Sequence, residues 1–333
     1  MSYKCSSFIR LMLSLSLFQS VLSAQNTITL QAPSTPDSSF YDIAKIDENE
    51  FWICGENGIL KSVDSFGMMK NIPDFPGKGI NLLKIATLSD RILISGDNGI
   101  IYSYLQSSQS WATLQIPGLS NSAIYSMLPL GDSIIYACGG HKLIATGKRT
   151  IPFGFVFASK DRGESWYPVM KKWNRFFWDL TYDSENDEVI ALGYGPFGSR
   201  LFTISKKEVH RTDFRSKYLL HDIEYSNQYG LIACGGKYKK TGAKGKIYCF
   251  NEHKAESFKT GGFIWSLILT PSINLLTAGP GNIHFRIAKD ENWQSAQILS
   301  TGNFYQSVLI SKNKVFIVGS AGLLVLIDLT DSL

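Results

Sequence analysis

FWICG (51–55) is the first of seven copies of one motif, in which a hydrophobic run passes through a usually small residue to a glycine. The other copies are ILISG (92–96), IYACG (135–139), VIALG (189–193), LIACG (231–235), LLTAG (275–279) and VFIVG (315–319). Their glycines, from Gly55 to Gly319, lie 40 to 54 residues apart. A strand-like segment that recurs about every forty residues is typical of β-propeller blades. The motif therefore predicts an all-β fold, and we expect seven blades of four antiparallel strands.

The second repeat indicates how one blade divides into strands. Its predicted inner, second, third and outer strands are INLLKIA (80–86), RILISG (91–96), IIYSYL (100–105) and WATLQI (111–116). Asn98-Gly99 lies between the second and third strands, and Asn57-Gly58 holds the same place in the first repeat. Asn-Gly is a strong hairpin signal because both central residues of such a turn take a positive φ.

The last repeat supplies three strands, FYQSVLI (304–310), KVFIVG (314–319) and LLVLIDL (323–329). An unassigned strand, TITLQAP (27–33), precedes the first repeat. We expect this segment to become the outer strand of the seventh blade, which closes the ring and leaves no open edge between the first and last blades.

The first 24 residues have the pattern of a signal peptide. Lys4 and Arg10 form a positive region, an apolar run covers 11–22, and Ala24 offers a small residue for cleavage. We therefore expect a propeller over 25–333, secreted or periplasmic, with no transmembrane helix after cleavage; the alternative is a retained N-terminal anchor. The mature net charge would be about +3, which is too small to indicate nucleic-acid binding.

The composition and the cysteines fit one large domain without a metal. Hydrophobic residues make up 44% of the 333, enough to bury a large core in a single domain. Cys54, Cys138 and Cys234 occupy equivalent places in non-adjacent repeats, too far apart for disulfides, and Cys249 is the one candidate partner for Cys234. We expect buried free thiols. No C-x-x-C or paired-histidine spacing indicates zinc, and we expect no metal, no cofactor and a monomer.

Residues 159–166, Ser-Lys-Asp-Arg-Gly-Glu-Ser-Trp, match the Asp-box or BNR repeat, S-x-D-x-G-x-S/T-W. Its aspartate accepts backbone N–H groups across a turn, and its glycine takes a positive φ. The repeated region thus resembles the sialidase-like and photosystem II assembly-factor-like propellers. The resemblance implies that the motif residues are structural and that Asp161 lies away from the ligand site. These residues are Ser159, Asp161, Gly163, Ser165 and Trp166.

The resemblance does not extend to the catalytic residues of sialidases. Those enzymes share an early Arg-Ile-Pro signature and an arginine triad. Here the nearest match is Arg149-Thr150-Ile151-Pro152, which Thr150 interrupts, and no three arginines hold matching strand positions. We do not expect sialidase activity.

The starts of the inner strands form a candidate ligand site at the mouth of the central channel. One aligned column reads Tyr41, Asn81, Tyr125, Trp178, His221, Trp265 and Gln306. The next reads Asp42, Leu82, Ser126, Asp179, Asp222, Ser266 and Ser307. Such a ring could stack on sugars or aromatic groups and orient them by hydrogen bonds. The alternative is that these side chains pack between blades and that the aspartates bond the neighbouring backbone.

Three consecutive repeats have long loops on the same face, over 140–154, 194–200 and 236–246. Their charge is almost wholly positive, which predicts a basic patch for a carboxylated or sulfated glycan, an acidic protein or a membrane surface. The alternative is a solvated lysine-rich loop. The candidate ligand-binding residues are Tyr41, Trp178, Trp265, Arg149, Arg200, Lys239 and Lys240.

Two classes of function fit these features. The first, which we favour, is a binding or assembly propeller of the cell envelope with an anionic ligand or protein partner. The second is a carbohydrate-active enzyme at the channel mouth. A lyase would use His221 or Tyr125 as base, and Arg149 or Lys240 to neutralise a uronate carboxylate. A hydrolase would need two carboxylates about 5–9 Å apart, for which Asp179 and Asp222 are the candidates.

Overall fold

A computed structural model gives the structure of the chain. It describes residues 29–31, 38–145, 149–206, 208–239, 242–251, 254–269, 273–279, 282–287, 294–297, 303–311 and 314–328. The predicted signal segment lies outside them, and so does Lys240. Within these ranges no helix is both long enough and apolar enough to cross a bilayer.

The described residues form antiparallel four-stranded sheets, which are the blades. Strand β1 (Thr29–Gln31) comes first and belongs to the last blade. Blade 1 contains β2 (Phe40–Lys45), β3 (Glu50–Gly55), β4 (Leu60–Asp64) and β5 (Met69–Asn71). Blade 2 contains β6 (Leu82–Thr87), β7 (Arg91–Gly96), β8 (Ile100–Leu105) and β9 (Ser110–Gln115). Blade 3 contains β10 (Ala123–Leu130), β11 (Ile134–Ala145), β12 (Arg149–Ser159) and β13 (Tyr167–Trp173).

The second half of the chain continues in the same order. Blade 4 contains β14 (Phe176–Asp183), β15 (Glu188–Gly195), β16 (Gly198–Ile204) and β17 (Val209–Ser216). Blade 5 contains β18 (Leu219–Ser226), β19 (Gly230–Lys239), β20 (Gly242–Asn251) and β21 (Lys254–Gly261). Blade 6 contains β22 (Phe263–Leu269), β23 (Ile273–Gly279), β24 (Asn282–Ile287) and β25 (Gln294–Gln297). Blade 7 contains β26 (Phe304–Ser311), β27 (Lys314–Gly319), β28 (Leu324–Asp328) and β1.

The prediction of an all-β propeller with four-stranded antiparallel blades is confirmed. The first strands of successive sheets contact one another around a ring, and β26 contacts β2. In the last sheet β1 pairs with β28, with Leu30 opposite Val325. We call the face where the inner strands begin the upper face; the second strands end there, and the turns between third and outer strands lie on the lower face.

The hydrophobic run of the motif is buried because the second strand of each blade packs on both sides. On β3, Phe51 and Ile53 join a cluster with blade 7, while Trp52 and Cys54 join a cluster with blade 2. Side chains of a strand alternate between its two faces, so a strand that is covered on both faces is hydrophobic at every position. The described residues form one such cluster at each boundary between neighbouring sheets.

The glycine of the motif lies where the second strand approaches the start of the inner strand. A Cβ on Gly139 would lie 1.9 Å from the carbonyl oxygen of Ala123, and one on Gly55 would lie 2.1 Å from that of Ser39. Gly55 has an extended φ of −174°, so closeness, not backbone conformation, requires glycine there.

The turns and the thiols agree with the sequence prediction. Asn98 and Gly99 have φ values of 63° and 64°, as the hairpin signal requires. Cys54, Cys138, Cys234 and Cys249 are buried, and none of them forms a disulfide within the described residues.

Candidate functional site

Each inner strand carries a β-bulge near its upper end. In blade 3, Ile124 pairs with Gly139 and Ser126 with Cys138, so Tyr125 between them has no partner on the second strand. A bulge leaves one extra residue unpaired and re-aims its side chain. The bulged residues are Tyr41, Leu83, Tyr125, Trp178, His221, Trp265 and Tyr305.

These seven bulged residues together line one cavity of about 290 Å³ at the channel mouth. Six of them form a continuous arc of ring contacts. Ring centroids lie 4.5 Å apart for Tyr125 and Trp178, and 5.0 Å apart for His221 and Trp265. The cavity, which we call the aromatic mouth, offers flat apolar surfaces to a ligand.

The sequence alignment placed five of these seven residues correctly. It was wrong in blade 2, where Leu83 and not Asn81 lines the mouth, and in blade 7, where Tyr305 and not Gln306 does. Asn81 instead bonds Asp97 at 3.0 Å beside the mouth. The signal that could have found the right register is the buried residue before each bulge, because Leu82 and Phe304 are fully buried like their counterparts.

His221 is held as a neutral imidazole within the aromatic mouth. Its Nδ1 lies 3.0 Å from the carbonyl oxygen of Trp265, which can only accept, so Nδ1 carries the proton. Burial lowers the pKa of His221, which keeps the ring uncharged near neutral pH. Its Nε2 therefore has a lone pair that can accept a hydrogen bond.

The indole N–H groups of the mouth are unpaired. Nε1 of Trp178 and Nε1 of Trp265 are buried, and neither has a hydrogen-bond partner among the described residues. Buried donors are normally paired, since an unmade bond costs about 1–3 kcal/mol. By contrast, the Tyr41 hydroxyl donates a hydrogen bond to Glu56 at 3.1 Å. Burial raises the pKa of the Tyr125 hydroxyl to about 12.

A polar layer lies directly below the aromatic mouth, around a second cavity of about 270 Å³. It is formed largely by the residues that follow the bulges. Asp179 and Asp222 accept backbone N–H groups of the next blade, from Ile223 at 3.0 Å and Leu267 at 2.7 Å. Asp42 does the same with Ile85 at 2.7 Å. These contacts support the alternative in which the aspartates bond neighbouring blades.

The second predicted column was also shifted in two blades. Lys84 replaces Leu82 in blade 2, where it forms an ion pair with Asp42 at 3.2 Å. In blade 7 the residue after the bulge is Gln306, with Ser307 next to it. Both belong to the lining of the second cavity.

The polar layer contains more carboxyl groups than cationic groups. Burial and the neighbouring Asp179 raise the pKa of Asp222, and burial raises the pKa of Glu224 to about 8. Burial alone would lower the pKa of Lys84, but Asp42 and the other carboxylates raise it. The layer therefore holds one firmly protonated lysine and carboxyl groups that retain protons.

The four candidate catalytic residues lie at two levels of the channel, two in the polar layer and two in the aromatic mouth. Asp179 and Asp222 both line the cavity of the polar layer, and Asp179 is near enough to raise the pKa of Asp222. Both are already engaged with the backbone of the next blade. His221 and Tyr125 do lie in the mouth, where a substrate could reach them.

The lysines and arginines predicted to bind a ligand lie at different places in the structure. Arg149 begins β12 and its backbone pairs with Ala145, and Lys239 ends β19 and pairs with Gly242. Lys240 lies outside the described residues. Arg200 lies on β16 at the level of Gly193, opposite Arg215 of β17.

Arg200 belongs to a cluster of cations between blades 3 and 4 that the sequence analysis missed. Arg211 is the cross-strand partner of Phe202, whose ring faces blade 3. The guanidinium carbon of Arg175 lies 5.2 Å from the centroid of that ring. Burial, together with Arg200 and Arg211, lowers the pKa of Arg175. Its Nη1 is buried and has no hydrogen-bond partner among the residues that the structure describes. Lys172 lies two residues along β13 from the buried Met170, and so on the same side.

We call Arg175, Arg200, Arg211 and Lys172 the arginine cluster. None of them forms an ion pair within the described part of the chain. Strand alternation could have predicted the cluster, because Arg200 and Phe202 are two residues apart. The pairing of β16 with β17 could not be read from sequence, since a register shift brings Arg211 opposite Phe202.

The turn at 159–166 is tightly bonded on the lower face. Asp161 accepts the backbone N–H of Ser165 at 2.9 Å and the hydroxyl of Ser159 at 2.7 Å. Gly163 has a φ of 88°, and Trp166 donates its Nε1–H to the Gly163 carbonyl oxygen at 2.8 Å. The turn lies on the side of the ring opposite the aromatic mouth.

Comparison with known proteins finds similarity of fold. The chain matches no protein-family profile and no curated protein. It is similar to the structure of YCF48 bound to a D1 peptide, with a TM-score of 0.69, 18% identity, and coverage of 92% of this chain and 98% of that one. It is similar to YCF48 from Cyanidioschyzon merolae, with a TM-score of 0.68, 12% identity, and coverage of 90% and 98%. The WD40 β-propeller domain of Doa1 gives a TM-score of 0.67, 11% identity, and coverage of 92% and 99%. At these identities the likeness establishes the β-propeller fold alone.

Proposed function

We propose that this chain is a binding or assembly propeller of the cell envelope that captures an acidic segment of a protein partner on its upper face. In this proposal residues 1–24 are a cleaved signal peptide, and residues 25–333 form a closed seven-bladed ring, secreted or periplasmic. The partner segment lies over blades 3 to 5, between the aromatic mouth and the arginine cluster.

One observation carries the proposal: unpaired cations lie beside a cavity with unpaired hydrogen-bond donors. Nη1 of Arg175 and Nε1 of Trp178 and Trp265 are buried, and none of these three atoms has a hydrogen-bond partner in the part of the chain that the structure describes. Carboxylate and carbonyl oxygens are the natural acceptors for such donors, and charge-assisted bonds to arginine are among the stronger ones. An acidic peptide supplies both kinds of oxygen, and its apolar side chains suit the aromatic mouth.

A protein segment is favoured over an anionic glycan by the comparisons. One of the similar propellers is a complex with a peptide. Residues 159–166 take a structural part in this proposal, as an Asp-box. Its turn joins blade 3 to blade 2 through Arg91 and Glu164 at 2.6 Å, on the face away from the mouth.

The second candidate function, a lyase or hydrolase acting on glycans, retains His221 as its best residue. The unprotonated Nε2 of His221 would be the base, with Tyr125 beside Trp178 in the same cavity. It is the weaker candidate because Asp179 and Asp222 are each engaged by a backbone N–H group of the next blade.

The test is binding of an acidic peptide in solution. A fluorescent peptide rich in glutamate and phenylalanine is titrated with the protein, beside a peptide in which lysine replaces glutamate. We expect binding of the acidic peptide only, and a loss of affinity of about tenfold for each of Arg200→Ala and Arg211→Ala. Lys160→Ala, which removes an exposed cation from the lower face, is the matched control and leaves the affinity unchanged.

Glycans provide the opposing arm of the same experiment. A uronate polymer and a sialylated glycan are incubated with the protein and assayed for binding and cleavage. Cleavage that His221→Ala abolishes would overturn the binding function in favour of the enzyme. Peptide affinity that is indifferent to both arginine substitutions would remove the arginine cluster from the site.

A further inference from the structure

Three large aromatic side chains are exposed on the upper face outside the mouth. Trp173 is 62% exposed, Phe197 69% and Tyr238 59%. They belong to three consecutive blades, at the end of β13, in the turn between β15 and β16, and near the end of β19. We call them the rim aromatics. A single exposed aromatic residue is ordinary, but three on one side of consecutive blades mark a candidate contact surface.

The register of the strands places the rim aromatics at one height. The motif glycines Gly139, Gly193 and Gly235 mark a common level in blades 3, 4 and 5. Trp173 aligns through Phe153 with His141, two residues above Gly139. Gly195 lies two residues above Gly193, and Phe197 lies in the turn that follows Gly195. Tyr238 lies three residues above Gly235. With a rise of about 3.3 Å per residue, the three rings differ in height by about one residue.

The charge around the rim aromatics is of one sign. Within 171–176, 193–201, 214–219, 235–239 and 242–247 there are ten lysines and arginines and no aspartate or glutamate. Exposed cations outside the arginine cluster are Lys171, Arg215, Lys217, Lys237 and Lys244. None of them forms an ion pair within the described ranges.

The lower face of the same blades has the opposite character. In its described turns acidic residues outnumber basic ones: Asp161, Glu164, Asp183, Glu185, Asp187, Glu188 and Glu208 stand against Lys160, Arg162 and Lys206. Blades 3 to 5 thus separate charge across the thickness of the ring, with the positive end beside the rim aromatics. A field of this shape orients the molecule toward a negatively charged surface.

We propose that the rim aromatics and their cations dock the propeller on a bilayer that contains anionic lipid. Trp, Tyr and Phe favour the headgroup region, where an apolar ring and a polar edge are both accommodated. Lysine and arginine add electrostatic attraction to anionic headgroups. The upper face then lies against the membrane. This inference goes beyond the proposed function and uses residues outside the mouth and the arginine cluster.

The arrangement suits a lipid surface better than a protein partner. Protein interfaces concentrate their binding energy in a few central, well-packed aromatic anchors. Here each aromatic occupies the upper end of a different blade, with cations between them, so the three rings do not form one central anchor. A fluid surface needs no shape complementarity and accepts anchors that are spread over three blades.

The test is co-sedimentation of the full chain with vesicles. One set contains phosphatidylglycerol and phosphatidylcholine, and the other phosphatidylcholine alone. We expect binding to the anionic vesicles that weakens with salt. Lys217→Glu, Lys237→Glu and Lys244→Glu together should lower it by more than about fivefold per position, since removing one cation alone costs about that much. Trp173→Ala, Phe197→Ala and Tyr238→Ala together should lower it by about tenfold or more.

The control removes exposed apolar side chains from the lower face of the ring. Phe66 and Met68 are 80% and 62% exposed in the lower-face turn between β4 and β5. Phe66→Ala with Met68→Ala removes exposed apolar surface and leaves vesicle binding unchanged. Because every variant has the same N-terminal segment, membrane affinity of that segment cannot produce a difference between them.

A second readout locates the contact. Vesicles of brominated phosphatidylglycerol should quench tryptophan fluorescence of the wild-type chain, and Trp173→Phe should remove most of that quenching. The triple aromatic variant should keep the acidic-peptide affinity measured without vesicles, so failure of one proposal leaves the other standing. Equal binding to both kinds of vesicle, or binding that survives the triple aromatic substitution, would overturn membrane docking.

Discussion

Glu224 is a partly buried carboxyl group whose position makes stability depend on pH. It lies on β18, lines the cavity of the polar layer, and accepts the backbone N–H of Leu269 at 2.8 Å. Burial raises its pKa to about 8, whereas the unfolded chain has the ordinary value of about 4.3. Between these values the folded state holds a proton that the unfolded state has lost. Stability therefore falls as pH rises through this window.

The predicted outcome is that Glu224→Gln removes this loss. Glutamine keeps the oxygen that accepts from Leu269 and cannot ionise. Urea unfolding from about pH 5 to about pH 8 should show wild-type stability decreasing with pH by a few kcal/mol more than that of the variant. Asp213→Asn, an exposed carboxyl on β17, is the control and leaves the slope as in the wild type. Parallel slopes for wild type and Glu224→Gln would mean that Glu224 ionises normally.

Single residues also show what sequence could and could not predict. Tyr125, Trp178 and Trp265 were found because aromatic residues recur at one position of the inner strands. Leu83 was missed because it lacks that chemistry, and Tyr305 because glutamine follows it. Arg175 gave no signal at all. Its importance comes from Phe202 and Arg211, which reach it only through the folding of β16 and β17.

The second strand and its glycine are the element that the sequence predicted best. The strand is hydrophobic throughout because two blades cover it, and that burial is visible as an unbroken apolar run. The β-bulge opposite was not predicted, because a bulge is a mismatch between two strands and appears only in their pairing. It nevertheless decides which residue of each inner strand enters the mouth.

The glycine and the bulge belong to one close approach, and this can be tested. In Gly139→Ala the new Cβ would meet the Ala123 carbonyl oxygen, a backbone atom that cannot turn aside. We expect destabilisation of about 3 kcal/mol. Gly131→Ala in the same blade is the control: nothing lies near its Cβ, and its φ of 67° costs about 1 kcal/mol. The midpoint of urea unfolding measures both, and equal losses would show that the close approach is not what requires glycine.

At the scale of the whole molecule, the two ends of the chain meet in one sheet. The prediction that 27–33 supplies an outer strand agrees with the pairing of β1 with β28, where Thr29, Leu30 and Gln31 lie opposite Leu326, Val325 and Leu324. Sequence could indicate this because a repeat with three strands leaves one edge open. The separation of charge between the faces was predicted only in part, since basic loops were noticed and the acidic turns below them were not.

This closure predicts that the first strand can be removed and returned. Deleting residues 25–33 uncovers the edge of β28, whose Leu324 and Val325 are buried in the intact ring. We expect a loss on the order of 2 kcal/mol for each apolar side chain that becomes exposed, seen as a lower thermal midpoint. A synthetic peptide of residues 25–33 should restore the midpoint in trans by pairing with β28, as strand addition does elsewhere. The same peptide with Leu30→Pro lacks the N–H needed at its centre and should restore less. A deleted chain that melts at the wild-type temperature would show that the ring does not depend on β1 for its closure.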